Sequence, residues 1–201
     1  SSDSLFGGAG AVSFTLKGNV SASSIEGGAD GDSIILGGTL QTASISGGAG
    51  NDSVSVAGTA VSSTLFGGSG KDTFQVNTLS AANLSGDAGV DKVSISGAVI
   101  GSIVNFGSGD EAFTLSVDAS TSSIAGGDGN DTLIFSNTLT TSSVSGGDGN
   151  DLLSFAAPLQ VGFNTIDAGA GADTLLFSST VSSTNILGGS GADSFSFGAK
   201  L

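Results

Sequence analysis

Nine acidic side chains occupy one position of a recurring turn: Asp32, Asp52, Asp72, Asp91, Glu111, Asp131, Asp151, Asp173 and Asp193. The steps between them are 20 residues, apart from one of 19 (Asp72 to Asp91) and one of 22 (Asp151 to Asp173). Each acid closes a six-residue glycine-rich pattern, as in Gly47-Gly48-Ala49-Gly50-Asn51-Asp52 and Gly67-Gly68-Ser69-Gly70-Lys71-Asp72. The pattern recurs ten times between residues 7 and 193, with Val12 standing where the first copy would have its acid. The chemistry open to such a set is binding of a hard cation. Ca2+ takes six or more oxygen ligands in a flexible cage. Glycines let the backbone bend so that its carbonyl oxygens face one point, and the sixth-position carboxylate adds charge. The candidate ligands are therefore the nine acids with Gly48, Gly50, Gly68, Gly70, Gly127, Gly129, Gly147, Gly149, Gly169, Gly171, Gly189 and Gly191.

The elements that position these turns follow from a second periodicity. Two residues after each acid position stands an apolar residue: Phe14, Ile34, Val54, Phe74, Val93, Phe113, Leu133, Leu153, Leu175 and Phe195. Four after it comes another, from Leu16 and Leu36 to Phe155, Phe177 and Phe197. A spacing of two places both on one face of a strand, and the intervening Ser and Thr suit its outer face. A further apolar column precedes the glycines (Leu5, Ile25, Ile45, Leu65, Leu84, Val104, Ile124, Val144, Ile166, Ile186), itself preceded by small residues such as Ser23, Ala43, Ser63 and Ser122. Each repeat thus predicts two short strands. One coil of about 20 residues cannot bury a face alone, whereas stacked coils bury a continuous one. At ~4.8 Å per coil, ten coils make a rod roughly 45–50 Å long. The small column predicts a thin core on its side. The 22-residue coil, with Pro158 and Phe163, predicts a bulged loop opposite the glycine turns, where both odd steps belong.

Composition narrows the classes. The 35 Gly do not recur every third residue, which excludes collagen, and 38% hydrophobic content in regular columns excludes a disordered chain. Eighteen acids against four lysines give a net charge of −14, which argues against nucleic acid as a partner. Half of those acids fall at the one repeat position, so they are more than a solubilising surface. There is no Cys or His, so zinc sites and nucleophilic triads lack their side chains. No apolar stretch is long enough to span a bilayer. The chain starts at Ser1 without Met, which predicts a segment of a longer protein. Closely spaced carboxylates such as Asp128 and Asp131 recur within the repeat, which favours metal ligation over acid/base catalysis. The third turn position reads Ala9, Ala29, Ala49, Ser69, Ala88, Ser108, Asp128, Asp148, Ala170 and Ser190, without the Thr row of an ice-binding face. Phe6, Phe66 and Phe106, beside the turns, are expected to be exposed.

The copies Gly126 to Phe135 and Gly146 to Phe155 resemble Gly-Gly-x-Gly-x-Asp-x-apolar-x, the nonapeptide of hemolysin-type (RTX) calcium-binding proteins. The resemblance covers essentially the whole chain. It implies an all-β fold: a right-handed parallel β-solenoid, or β-roll, of about ten coils, spanning 1–201 as one domain, with calcium between consecutive turns. This chain carries one motif per 20 residues, where the family roll carries one on each edge of an 18-residue coil, so a single calcium edge is expected. Nine acids flank eight intervals, and eight Ca2+ would bring +16 against −14. Val12 removes the site of the first coil, and Glu111, in the altered loop Phe106-Gly107-Ser108-Gly109-Asp110, leaves its own in doubt. Asp30, Asp87 and Ala168 replace the fourth, second and first glycines of their copies.

The resemblance further implies secretion, through a one-step channel as an unfolded chain, and a place at the bacterial cell surface. There the expected role is a structural, non-catalytic segment of a surface-layer or filament protein. Repulsion along the acid column is expected to oppose folding until extracellular Ca2+ binds. Self-association or neighbouring domains of the same protein are the expected partners, with strand-to-strand pairing of rod ends one route. The alternative is an adhesin stalk or an accessory module of a secreted enzyme.

Overall fold

In the computed structural model, which describes residues 3–159 and 162–199, every regular element is a strand and every ladder is parallel. The chain winds through about ten coils whose successive strands pair one repeat apart, as in Ile25 opposite Ile45 and Ile45 opposite Leu65. The strands leading into the glycine turns form one unbroken ten-stranded sheet, from Ser4–Gly8 through Ser24–Gly28 to Thr184–Leu187. The strands leaving the turns fall into two sheets. Ser13–Leu16, Ser33–Leu36, Ser53–Val61, Thr73–Ser80 and Lys92–Ile95 lie in one. Ala112–Leu115, Thr132–Phe135, Leu152–Phe155, Thr174–Phe177 and Ser194–Phe197 form the other.

Each coil has three sides rather than the two expected. A third strand of two residues follows a bend, at Val20–Ser21, Leu40–Gln41, Val99–Ile100, Ala119–Ser120 and Leu139–Thr140. In Ser53–Val61 and Thr73–Ser80 the second and third strands are continuous. This side contributes a buried column of its own: Val20, Leu40, Ala60, Leu79, Val99, Ala119, Leu139, Leu159 and Val181. The 19-residue coil loses its residue here, where the register shifts between Val76 and Thr78. The 22-residue coil gains its two between Leu159, which still bridges Val181, and Asn164, which aligns with Ser142. Phe163 projects from that loop with 84% of its surface exposed.

The core is a set of columns running the length of the rod. Phe135, Phe155, Phe177 and Phe197 stack with ring centroids 4.9–5.2 Å apart and planes within 8° of parallel. That separation is close to the strand spacing, so equal side chains at equal register stack without any change of rotamer.

The small column turns out to be a corner, not a close approach of two sheets. It follows a residue with positive φ at the second turn, such as Thr42, Ser62 or Thr121. Its serines are buried and hydrogen bonded between coils. The amide of Ser102 donates to Oγ of Ser122, that of Ser122 to Ser142, and that of Ser142 to Oδ1 of Asn164. Each hydroxyl in turn donates to the carbonyl two residues earlier, as Ser122 does to Ser120. A short side chain at this corner therefore serves a buried amide that the sheets leave over.

Candidate metal edge

The acids do not point at solvent. Asp32, Asp52, Asp72, Asp91, Glu111, Asp131, Asp151 and Asp173 are each 1–4% exposed, and Asp193, in the last coil, is partly buried. The local reason is the glycine turn, which folds the chain back so that the sixth residue is directed into the corner. There its carboxylate does two things. Oδ1 accepts a hydrogen bond from the backbone amide of the equivalent residue one coil earlier. Val12 donates to Asp32, Asp32 to Asp52, Asp52 to Asp72, and Asp72 to Asp91, at 2.6–2.8 Å. The series resumes with Glu111 to Asp131, Asp131 to Asp151, Asp151 to Asp173 and Asp173 to Asp193, at 2.8–3.1 Å.

The second oxygen has no such partner. Oδ2 of Asp32, Asp52, Asp72, Asp91, Asp131, Asp151 and Asp173, and both carboxylate oxygens of Glu111, are buried without a hydrogen bond. Buried carboxylate oxygens with no donor are costly, and the usual remedies are a cation or a proton. In every one of these turns but that of Asp173, where Ala168 stands first, the Asp Oδ2 lies against the first glycine of its own turn. A methyl group built on Gly27, Gly67, Gly86, Gly126 or Gly146 would collide with that Oδ2 and with the first-position carbonyl oxygen of the next coil. The bare glycine therefore leaves a cradle between a carboxylate oxygen and a carbonyl oxygen. Those first-position glycines escape a reading by spacing alone, because their φ is ordinary and only the three-dimensional stack reveals the contact.

The other predicted glycines set the turn. Gly48, Gly68, Gly127, Gly147, Gly169 and Gly189 at the second position, and Gly50, Gly70, Gly129, Gly149, Gly171 and Gly191 at the fourth, have φ between +89° and +146°. Asp30 and Asp87 preserve the positive sign at 65° and 72°, in the left-handed region that Asp tolerates better than most residues. Asp87 is further held by the Ser85 hydroxyl, which donates to its Oδ1 at 2.5 Å. Ala168 keeps the first position of its coil fully buried.

Among the described residues no three acidic side chains gather around one point. A cation on this edge draws on one carboxylate per turn plus backbone carbonyls, in keeping with the oxygen-rich, weakly charged cages that suit Ca2+. Burial is the main electrostatic fact. It pushes Asp72, Asp91 and Asp151 up to about 6, and neighbouring carboxylates add to the shift. Asp52 and Asp131 are raised for the same leading reason, and Glu111 reaches about 7, with Asp131 the strongest neighbouring charge. Desolvation thus outranks the mutual repulsion expected from the sequence. An exposed ladder runs outside this one. The amides of Lys71, Asn130, Asn150 and Ala172 donate to the fifth-position side chains of Asn51, Asp110, Asn130 and Asn150.

The RTX calcium-binding nonapeptide repeat matches the chain in four copies, over residues 44–60, 114–136, 142–156 and 161–179. The chain carries RTX calcium-binding repeats. Neither the curated proteins nor the solved structures yield a match. The matched segments span turns on both sides of the Glu111 coil, and each of the four holds a buried acid with an unpartnered oxygen: Asp52, Asp131, Asp151 and Asp173. In these RTX turns the two carboxylate oxygens can be separated by substitution. Asp151→Asn keeps an oxygen to accept the Asp131 amide but removes the charge. It should raise the melting temperature in excess chelator at about pH 6, where the metal-free fold persists, and bind one calcium fewer at saturation. Asp151→Ala also strands the amide and should cost about 1–3 kcal/mol with or without calcium. Differential scanning calorimetry and equilibrium dialysis check both.

Proposed function

We propose that residues 1–201 are a structural, non-catalytic segment of a secreted bacterial surface protein, of a surface-layer or extracellular-filament kind. Its fold is completed by binding about eight Ca2+ ions along one edge. The observation that carries this reading is the row of buried carboxylate oxygens without donors, set against a glycine cradle at every such turn but those that begin with Phe106 and Ala168. Bound there, Ca2+ supplies positive charge to oxygens that burial has stripped of water. The chain's own part is to exclude water, present one carboxylate and backbone carbonyls at each turn, and lock successive coils together, except at the step from Asp91 to Glu111, through the Oδ1–amide bonds.

In a calcium-poor cytosol those carboxylates oppose burial and the chain stays open. At millimolar extracellular calcium, above the ~10⁻⁴–10⁻³ M dissociation constants of extracellular modules, folding follows. A rod of stacked coils suits load-bearing or spacing within an assembly, through self-association or neighbouring domains. Circular dichroism and small-angle scattering in excess chelator at pH 7.5 test this. The expected result is an expanded chain that becomes a rod of roughly 45–50 Å when calcium is restored. An unchanged rod in chelator defeats calcium-driven folding and leaves a solenoid whose apolar columns suffice.

A further inference from the structure

The regular stack contains one fault, where a weakened side-chain rung and a broken backbone ladder coincide. The Oδ1–amide series is weakest between Asp91 and Glu111, where the Asp91 amide still faces the Glu111 carboxylate but no close hydrogen bond joins them. The sheet of strands leaving the turns breaks between Lys92–Ile95 and Ala112–Leu115, which lie in different sheets. Backbone bonds of the type Lys92 amide to Asp72 carbonyl and Thr132 amide to Glu111 carbonyl flank this junction but do not occur at it. The sheet entering the turns is continuous across the same junction, with Leu84 opposite Val104.

The sequence supplies the cause. Phe106 takes the first turn position, where neighbouring coils have Gly86 and Gly126. Its ring is fully buried, not exposed as expected, and packs on Phe113 with centroids 4.9 Å apart at 52°. That ring fills the space a sixth-position carboxylate otherwise shares with a glycine. The acid of this coil is accordingly Glu111, whose longer arm carries Oε1 to the side of Gly109. Gly to Phe at the first position and Asp to Glu at the sixth are thus two halves of one change.

We propose that the Phe106–Glu111 coil is an insulating turn, which removes one cation position and divides the edge into two separately loading blocks. The inference rests on the calcium reading above. The first block holds Asp32, Asp52, Asp72 and Asp91; the second holds Asp131, Asp151, Asp173 and Asp193. In a solenoid, coupling passes only between adjacent coils; here the entering sheet and the third side, with Val99 opposite Ala119, still join the coils, but the weakened rung and broken ladder reduce coupling beside the acid column. The second block loads at lower calcium. The additional turn acids are balanced, Asp30 and Asp87 in the first block against Asp128 and Asp148 in the second, but the aromatic stack from Phe135 to Phe197 already orders the coils of the second block.

Hydrogen-exchange mass spectrometry of the wild-type chain across a calcium titration reads this directly. Amides of residues 112–198 should become protected at a calcium midpoint at least about threefold below that of residues 24–95. The double variant Phe106→Gly, Glu111→Asp should merge the two transitions and bind one more calcium in equilibrium dialysis. A single transition protecting both blocks at one calcium concentration in the wild type overturns the division, while leaving calcium binding itself intact. No calcium uptake by either method overturns the underlying reading and this one with it. Because the exchange experiment uses the wild type alone, poor folding of the double variant does not weaken it.

Discussion

In excess chelator, the melting temperature of this chain should fall as pH rises from about 4 towards 7, until near pH 7.5 no folded state is left to melt, opposite to the usual behaviour of carboxylate-rich proteins. Paired surface carboxylates normally have lowered pKa values, and acid unfolds such proteins. Here the folded-state values of Asp72, Asp91 and Asp151 are raised to about 6 and that of Glu111 to about 7, from 3.8 and 4.5. Between the unfolded and the folded values the folded state binds more protons, so the slope of stability against pH is negative. The stabilisation is complete below about pH 4 and is lost as pH rises through 6 and 7. Discounted for solvent screening, the summed loss is on the order of 3 kcal/mol, or roughly 10 °C for a domain of this size. In saturating calcium the dependence should reverse, because each site must release its proton before the metal binds, and affinity rises with pH. Calorimetry in chelator and in calcium at five or six pH values checks both signs. A chelated protein that melts higher at pH 8 than at pH 5 contradicts the buried, unpartnered state of these carboxylates.

The second large effect comes from a single methyl group. Gly147 has φ +124°, and a Cβ there would collide with the carbonyl oxygen of Gly127 and lie 2.7 Å from its carbonyl carbon. Both atoms are backbone in a hydrogen-bonded stack, so nothing flexible can yield. Gly147→Ala should therefore cost at least about 3 kcal/mol, combining backbone strain with displacement of a neighbouring coil. Gly18→Ala is the control, since Gly18 has no positive φ and nothing lies within 4 Å of the added atom. It should change stability by less than about 0.5 kcal/mol. Gly147→Asn brings the same Cβ against the same carbonyl and should cost nearly as much as Gly147→Ala, the tolerance of Asn for positive φ offsetting only part of the backbone strain. Guanidinium denaturation in saturating calcium ranks the three, and an Ala variant as stable as the control would remove the steric argument.

Much of the architecture was legible because the repeat is long, regular and tandem. The acid column, the two main apolar columns and the glycine turns each follow from one-dimensional spacing, and the stack of coils follows from their need for a shared core. The third side was not read, because a strand such as Leu40–Gln41 or Ala119–Ser120 has two residues and shows no alternation. Its column could have been found by aligning Val20, Leu40, Ala60 and Leu79 as the others were. The serine corner at Ser102, Ser122 and Ser142 was seen as small but not as a hydrogen-bonded ladder, since a bond between coils leaves no mark within one coil. The same holds for the direction of the carboxylates. Spacing places Asp131 and Asp151 on one edge; only the stack shows which oxygen is used and which is left over. Phe106 was misjudged because its neighbours in sequence are turn residues. Aligned with Gly86 and Gly126, it occupies an inward position.

The hydrogen bonds of all three sheets run between coils, parallel to the long axis of the rod. Tension applied at the two chain ends therefore loads those bonds coil by coil, so an end coil yields before an inner one. Each coil that peels away frees 20 residues of contour in most of the rod, about 70 Å of extended chain. The 19- and 22-residue coils would mark their places by a shorter and a longer increment. Under stretching, such a molecule behaves as an extensible tether whose increments record the order of its turns, and metal along one edge sets the force at which each is released.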